Sequence, residues 1–196
     1  MTWVKGDLAG LTPTPWKNGG GATRELVCEP ANARADDFVW RVSVADVTED
    51  GPFSIFPGVQ RVIVSLFGDG FELRFADGTR HSVSKPYVPF GFAGDAAVSA
   101  HLLGGACLDF NLMVRTADAK GDVEVVRVLG RHALHAPIAF AMVVRGTVWL
   151  TTPDHSEPMT VGEFIYRDIT EHDIKNDAWV DVTSDAVVLM VKITLE

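Results

Sequence analysis

Period-two alternation dominates this chain and leaves little room for helix. Residues 38–45 put Trp40, Val42 and Val44 on one face and Arg41, Ser43 and Ala45 on the other. Successive side chains of a strand point to opposite faces, so this stretch reads as a strand. Residues 107–115 behave alike: Leu108, Phe110, Leu112 and Val114 share one face, and Cys107, Asp109, Asn111, Met113 and Arg115 the other. The β-branched run 61–67 is followed by Gly68-Asp69-Gly70 and the apolar run 71–75, a pattern that predicts a hairpin. Further strands are expected at 23–27, 81–84, 88–92, 96–103, 123–129, 138–145, 147–152, 164–167, 179–182 and 187–195, with a break over 30–37. The turn-rich residues 51–58 carry two Phe and an Ile and are expected to pack down on the core. Pro13 and Pro15 limit the first fifteen residues to a lead-in arm or an edge strand. A helical turn is expected only at 171–177. Many short strands with Gly and Pro turns indicate an all-β barrel or sandwich.

One stretch departs from this monotony. Pro15-Trp16-Lys17-Asn18-Gly19-Gly20-Gly21-Ala22-Thr23-Arg24-Glu25 concentrates a Trp, an Asn, three glycines and a charged tail in eleven residues. Consecutive glycines permit positive φ and close approach by another group. Ordering them is entropically costly, so some contact must hold them. A functional loop at the mouth of a β-fold is expected, with a plain turn as the alternative. It is not a phosphate loop of the Walker type, since no Gly-Lys-Ser/Thr follows. Trp16 either walls a ligand site or anchors the loop.

Composition narrows the function. The 196 residues suffice for one large domain or two small, closely packed ones. The net charge of −9, from 17 basic and 26 acidic residues, argues against a nucleic-acid partner, which needs a basic face. No apolar run has the length of a membrane-spanning helix. Cys28 and Cys107 lie far apart, outside any CxxC or Cys/His metal spacing, and the polar N-terminus does not read as a signal peptide. Free thiols in a reducing cytoplasm are expected. His132 and His135 would share a face only on a helix, whereas their surroundings are strand and loop; no metal or other cofactor is expected. Gly-x-Ser-x-Gly is absent, and neither cysteine has a histidine beside it in sequence.

The polar faces of the best strands carry the chemistry. Asp109, Asn111, Met113 and Arg115, with Arg41 and Ser43, Glu25 after the glycine loop, and Arg61, suit the lining of a cavity better than a solvated face. They offer guanidinium forks for a carboxylate and amide or carboxyl groups for a polar head. The alternative is an exposed or edge-pairing surface of ion pairs, such as Arg41 with Asp109. There is also an internal echo. Leu66-Phe67-Gly68-Asp69-Gly70-Phe71-Glu72-Leu73 is similar to Val143-Val144-Arg145-Gly146-Thr147-Val148-Trp149-Leu150, which suggests two related β-units.

Four motifs in order carry a family resemblance. Pro15-Trp16-Lys17-Asn18-Gly19-Gly20-Gly21-x-Thr23-Arg24-Glu25, Arg41-x-Ser43-x-Ala45, Gly51-Pro52-Phe53-Ser54-x-Phe56-Pro57-Gly58-x-x-Arg61 and Asp109-Phe110-Asn111-Leu112-Met113-x-Arg115 together resemble the HutD/Ves family. The match runs from about residue 11 to 115 and is weaker beyond. The resemblance implies a bicupin, two cupin-type barrels or jelly rolls in one chain with little helix, here divided into 1–116 and 117–196. It also implies a role in governing bacterial histidine utilisation. Metal-dependent cupins carry a His-x-His pair, which the strands at 61–66 and 138–148 lack, so a metal-free cupin is expected. The expected function is non-catalytic binding of a small carboxylate of the urocanate or formylglutamate type. Arg41, Arg61 and Arg115 would hold the anion and Asn111 and Asp109 its polar groups. Glu25 and Ser43 would line the site, and Trp16, Asn18, Gly19 and Gly20 would form its rim. The alternative is a metal-independent isomerase or hydrolase with Glu25 or Asp109 as general base. No nucleic acid or membrane partner is expected; exposed sheet edges favour a homodimer.

Overall fold

A computed structural model describes residues 3–31, 33, 37–153, 155–167 and 178–196. Among these the structure is all-β, and the one helical element is a 3-10 turn at Leu8–Gly10. The strands are β1 (Val4–Asp7), β2 (Thr14–Pro15), β3 (Gly21–Glu29), β4 (Trp40–Val47), β5 (Gly51–Pro52), β6 (Val59–Phe67), β7 (Phe71–Phe75), β8 (Arg80–Val83), β9 (Pro89–Ala93), β10 (Val98–Leu102) and β11 (Cys107–Arg115). They continue with β12 (Ala119–Val126), β13 (Gly130–Ala133), β14 (Ile138–Arg145), β15 (Thr147–Thr151), β16 (Ser156–Thr160), β17 (Glu163–Tyr166), β18 (Trp179–Val182) and β19 (Val187–Leu195). The expected helical turn at 171–177 lies outside the described residues. So does part of the break at 30–37.

The chain divides into two compact units. One is Leu11–Gly121 with Leu195–Glu196; the other is Met1–Gly10 with Asp122–Thr194. The sequence reading divides the chain at 116/117, whereas the contacts divide it at 121/122. The first ten residues belong with the later unit because β1 pairs antiparallel with β17.

In the Leu11–Gly121 unit a six-stranded sheet runs β2-β3-β4-β11-β6-β9 and a four-stranded one runs β5-β10-β7-β8. The proline-bearing β2 sits at an edge, where a missing N–H costs the ladder nothing. Ile63 and Cys107 from the larger sheet and Phe71, Leu73, Val98 and Ala100 from the smaller one form a single apolar cluster. Phe71 and Leu73 are fully buried, which contributes about 1.5–3 kcal/mol each. The core of this unit is therefore shared between its two sheets.

The other unit repeats the strand order eight numbers later. β12-β19-β14-β17 matches β4-β11-β6-β9, and β13-β18-β15-β16 matches β5-β10-β7-β8. Its own cluster unites Val148 and Leu150 of β15, Val180 of β18 and Ile165, Val188 and Met190 of the five-stranded sheet. The echo in the sequence thus corresponds to a repeated topology.

One expectation is overturned. The runs 61–67 and 71–75 do not form a hairpin: β6 pairs with β11 and β9, whereas β7 pairs with β10 and β8. Gly68-Asp69-Gly70 is a corner that carries the chain from one sheet to the other. The equivalent step from β14 to β15 also changes sheet. The hairpin lies at the next Asp-Gly, Asp77-Gly78, between β7 and β8, where Phe75 and Thr79 close the turn. Both corners lie between apolar runs, and local sequence does not distinguish a turn within a sheet from one between sheets.

Candidate functional site

Register sets the site. In the six-stranded sheet Asp109 lies opposite Ala45 on one side and Ser65 on the other. Asn111 lies between Ser43 and Ile63, and Met113 between Arg41 and Arg61. On β3, Glu25 stands opposite Ser43. Side chains that alternate on four neighbouring strands therefore share one face. That face lines an open cavity of about 780 Å³, which Trp16, Lys17 and Asn18 of the glycine loop and Phe53 and Phe56 also line. The opposite face carries Trp40, Val42, Val44, Phe110 and Leu112, all fully buried.

Arg61 dominates the cavity. It is only 5% exposed. Its guanidinium lies 4.9 Å from the centroid of Phe53, 5.0 Å from that of Phe92 and 6.0 Å from that of Phe56. Aromatic faces attract a cation, and a planar guanidinium can stack on them. Its Nε and Nη2 donate to the Asn111 side-chain oxygen at 3.3 and 3.1 Å. Among the described residues it makes no other hydrogen bond and no salt bridge. Burial lowers its pKa to about 10, with Asp109 opposing the shift, so it remains a cation at neutral pH.

Asp109 is almost completely buried. Its Oδ2 accepts from the Asn111 amide nitrogen at 3.2 Å, and its Oδ1 has no partner. Burial pushes its pKa up to about 7, against the hydrogen bond from Asn111 and the charge of Arg61. Ser65 Oγ, opposite in register, is likewise buried without a partner.

The other polar groups are committed nearer the surface. Arg41 Nε donates to Glu25 Oε2 at 2.6 Å, and half of the Glu25 side chain is exposed. The partner of Arg41 is thus Glu25, not Asp109 as in the alternative reading of these strands as an ion-paired surface. In the ladder Arg41 faces Met113, four residues along β11 from Asp109, about 13 Å at strand rise.

The glycine loop is held by its own contacts. Trp16 Nε1 donates to Thr23 Oγ1 at 2.8 Å, and Asn18 Oδ1 accepts from Gly20 N at 3.2 Å. The three glycines do different work. Gly19 has φ +77°, which favours glycine. At Gly21 a Cβ would lie 2.2 Å from the Asp46 carbonyl oxygen and 3.0 Å from the Trp16 ring. Gly20 has neither constraint: its nearest neighbours would stand 3.7 Å away. Trp16 both lines the cavity and anchors the loop.

Of the residues expected in the site, Trp16, Asn18, Glu25, Arg41, Ser43, Arg61, Asp109 and Asn111 line the cavity; Gly19, Gly20 and Arg115 do not. Arg115 has the right strand parity but lies six residues from Asp109, about 20 Å along a strand. Its Nε donates to the Phe38 carbonyl at 3.1 Å and lies 3.6 Å from the Asp118 carboxylate. Sequence pattern alone does not single out the aromatic clamp of Phe53, Phe56 and Phe92 around Arg61. The signal for two of the three was the Phe pair in the turn-rich 51–58 loop. Ile55 in that loop, expected to pack down, is 56% exposed.

Among the described residues no three His, Cys, Asp or Glu side chains gather as a metal-holding group, and no helix is long and apolar enough to cross a membrane. His132 lies on β13 with Nε2 2.7 Å from the Val128 carbonyl oxygen. Both cysteines are free, and burial is the main cause raising both thiol pKa values, that of Cys107 to about 12.

The family model described as HutD matches residues 9–177. The chain belongs to the HutD family. An uncharacterised 21.2 kDa protein of the hutC 3′ region in Pseudomonas putida is 48% identical over 99 residues, covering 50% of this chain and 51% of that one. Protein Ves of Citrobacter koseri is 41% identical over 120 residues, 61% of each chain. The matched stretches thus span about half to three-fifths of those relatives. Among solved structures, a conserved protein of unknown function from Pseudomonas aeruginosa PAO1 superposes with a TM-score of 0.85 at 28% identity, over 98% of this chain and 99% of that one. HutD from Pseudomonas fluorescens SBW25, in a formate condition, gives 0.78 at 26% identity over 100% of both. A cupin 2 conserved barrel domain protein from Leptotrichia buccalis gives 0.62 at 8% identity, over 98% and 96%. This last likeness concerns the fold alone and makes the HutD-family architecture cupin-like.

Proposed function

We propose that this HutD-family chain is a non-catalytic bicupin that binds a small carboxylate and thereby regulates histidine utilisation. The bicupin reading rests on the strand order repeated in the two units and on the cupin-like neighbours. The binding reading rests on one observation. Arg61 is a buried cation, clamped between aromatic rings and lining a cavity, with no acid in hydrogen-bonding contact among the described residues. A desolvated charge is costly unless paired, and an incoming carboxylate supplies the pair with charge-assisted hydrogen bonds. The ligand is an intermediate of the urocanate or formylglutamate type. The HutD family and the relative of the hutC 3′ region support a ligand from the histidine-utilisation pathway. Calorimetry with urocanate and N-formylglutamate tests this: saturable binding of at least one, lost in Arg61→Ala, is expected. An absence of heat with both overturns it.

A second reading has its own observation. A buried carboxyl held near pKa 7, as Asp109 is, suits a general base. Glu25, the other candidate base, is held by Arg41. Turnover of either compound by the purified protein, abolished in Asp109→Asn, would favour an isomerase or hydrolase.

A further inference from the structure

Arg61, Asn111 and Asp109 form one buried relay. The guanidinium donates to the amide oxygen, and the amide nitrogen donates to the carboxyl. Asp109 is thus the nearest balancing acid for Arg61, yet it stands one side chain away. Its Oδ1 is unpartnered, and so is Ser65 Oγ across the ladder.

We infer that carboxylate binding at Arg61 is coupled to uptake of a proton by Asp109, so that the site holds anions more tightly as pH falls through neutrality. This rests on the carboxylate reading of the cavity. An entering anion becomes the direct partner of Arg61 and brings a second negative charge toward Asp109. Two carboxylates beside one desolvated cation resist joint ionisation. Asp109 escapes the repulsion by accepting a proton. Burial already pushes its pKa up to about 7, so the step is inexpensive near neutral pH. Oδ1 is the oxygen without a hydrogen-bond partner among the described residues, so it is the one that takes the proton.

The charged and titratable groups around Asp109 leave this account intact. Arg61 comes from β6; from β4 come Arg41, tied to Glu25 of β3, and Asp46, paired with Arg24 of β3. Cys107, on the same strand as Asp109, has its thiol raised to about 12 by burial and by Asp109 itself. Lys17 lines the cavity from the glycine loop, and no histidine does.

Formate, the smallest carboxylate, is the probe, because size cannot exclude it. The Arg61 Nε–H resonance reports anion occupancy, and the Asp109 side-chain carbon resonance reports the proton. Without formate, Asp109 should titrate near pH 7; saturating formate should raise its midpoint by about one unit or more. Calorimetry in two buffers of different ionisation enthalpy, slightly above neutral pH, should show uptake of about half a proton or more per formate. Formate affinity should fall up to about tenfold per pH unit above neutrality. Asp109→Asn should still bind formate, with no proton uptake and no pH slope, and more tightly than wild type in mild alkali. The titration is read on the wild-type chain, so a poorly folding variant does not compromise it. An ordinary carboxylate midpoint, or one unmoved while formate shifts Arg61, overturns the coupling and leaves the anion site standing. Formate without effect on Arg61 at any concentration removes the anion site and the coupling together.

Discussion

Arg61 directs two of its N–H donors at one acceptor, the side-chain oxygen of Asn111, at 3.3 and 3.1 Å. The bond orients the guanidinium beside Phe53 and Phe92 and leaves its remaining donors without an acceptor among the described residues. Charge alone therefore does not reproduce the site. A lysine keeps the cation but has neither the fork nor the flat face that stacks. Arg61→Ala should weaken carboxylate binding by about 2 kcal/mol or more. Arg61→Lys should recover only part of that loss. Calorimetry on both variants, with near-ultraviolet circular dichroism to confirm folding, checks the ordering; equal affinity of Arg61→Lys and wild type would contradict it.

Asp109 should leave a signature in stability without any ligand. The unfolded chain loses this proton near pH 4 and the folded protein near pH 7. Between those values the folded state binds more protons. Its stability should therefore fall as pH rises through that window, by up to about 1.4 kcal/mol per unit, and level off above. Asp109→Asn lacks this contribution. Urea titrations across the window should show the variant gaining on wild type as pH rises; parallel curves would refute the assignment.

The three glycines give a graded test. Gly21→Ala drives a Cβ into the Asp46 carbonyl and the Trp16 ring, and overpacking of this kind costs about 1–3 kcal/mol. Gly19→Ala meets no atom but strains a positive φ, a loss of about 1 kcal/mol. Gly20→Ala should stay within about 0.5 kcal/mol. Thermal or urea melts rank the three; a Gly20 variant as damaged as the Gly21 variant would break the account.

Trp16 should report occupancy. It lines the cavity and donates to Thr23 Oγ1 at 2.8 Å. Trp16→Phe should lose about 1 kcal/mol of stability with that bond. It should also abolish most of the change in tryptophan fluorescence on ligand addition. A full signal in the variant would assign the change to another of the five tryptophans.

The sequence revealed the site in proportion to how local its features are. Ser43 and Arg41 follow from alternation on one strand, as do Asp109 and Asn111 on another, and all four line the cavity. Arg115 obeys the same alternation but sits too far along its strand. Parity gives the face of a sheet, not the position along it. Phe92 belongs to a strand that pairs with β6 only in three dimensions, and nothing near it in sequence ties it to Arg61.

By itself the chain determined where most of its strands run, though not β13 or β16, which side chains share a face, and that a glycine-rich loop needs holding, because alternation and backbone freedom are properties of neighbouring residues. The tertiary structure alone decided that Gly68–Gly70 is a corner, that Arg41 answers to Glu25, and that Arg61 is desolvated between a ring of the 51–58 loop and a ring of β9. Each of these depends on strands distant in sequence meeting in register. Burial, which raises the pKa of Asp109, is likewise a property of the assembled sheets.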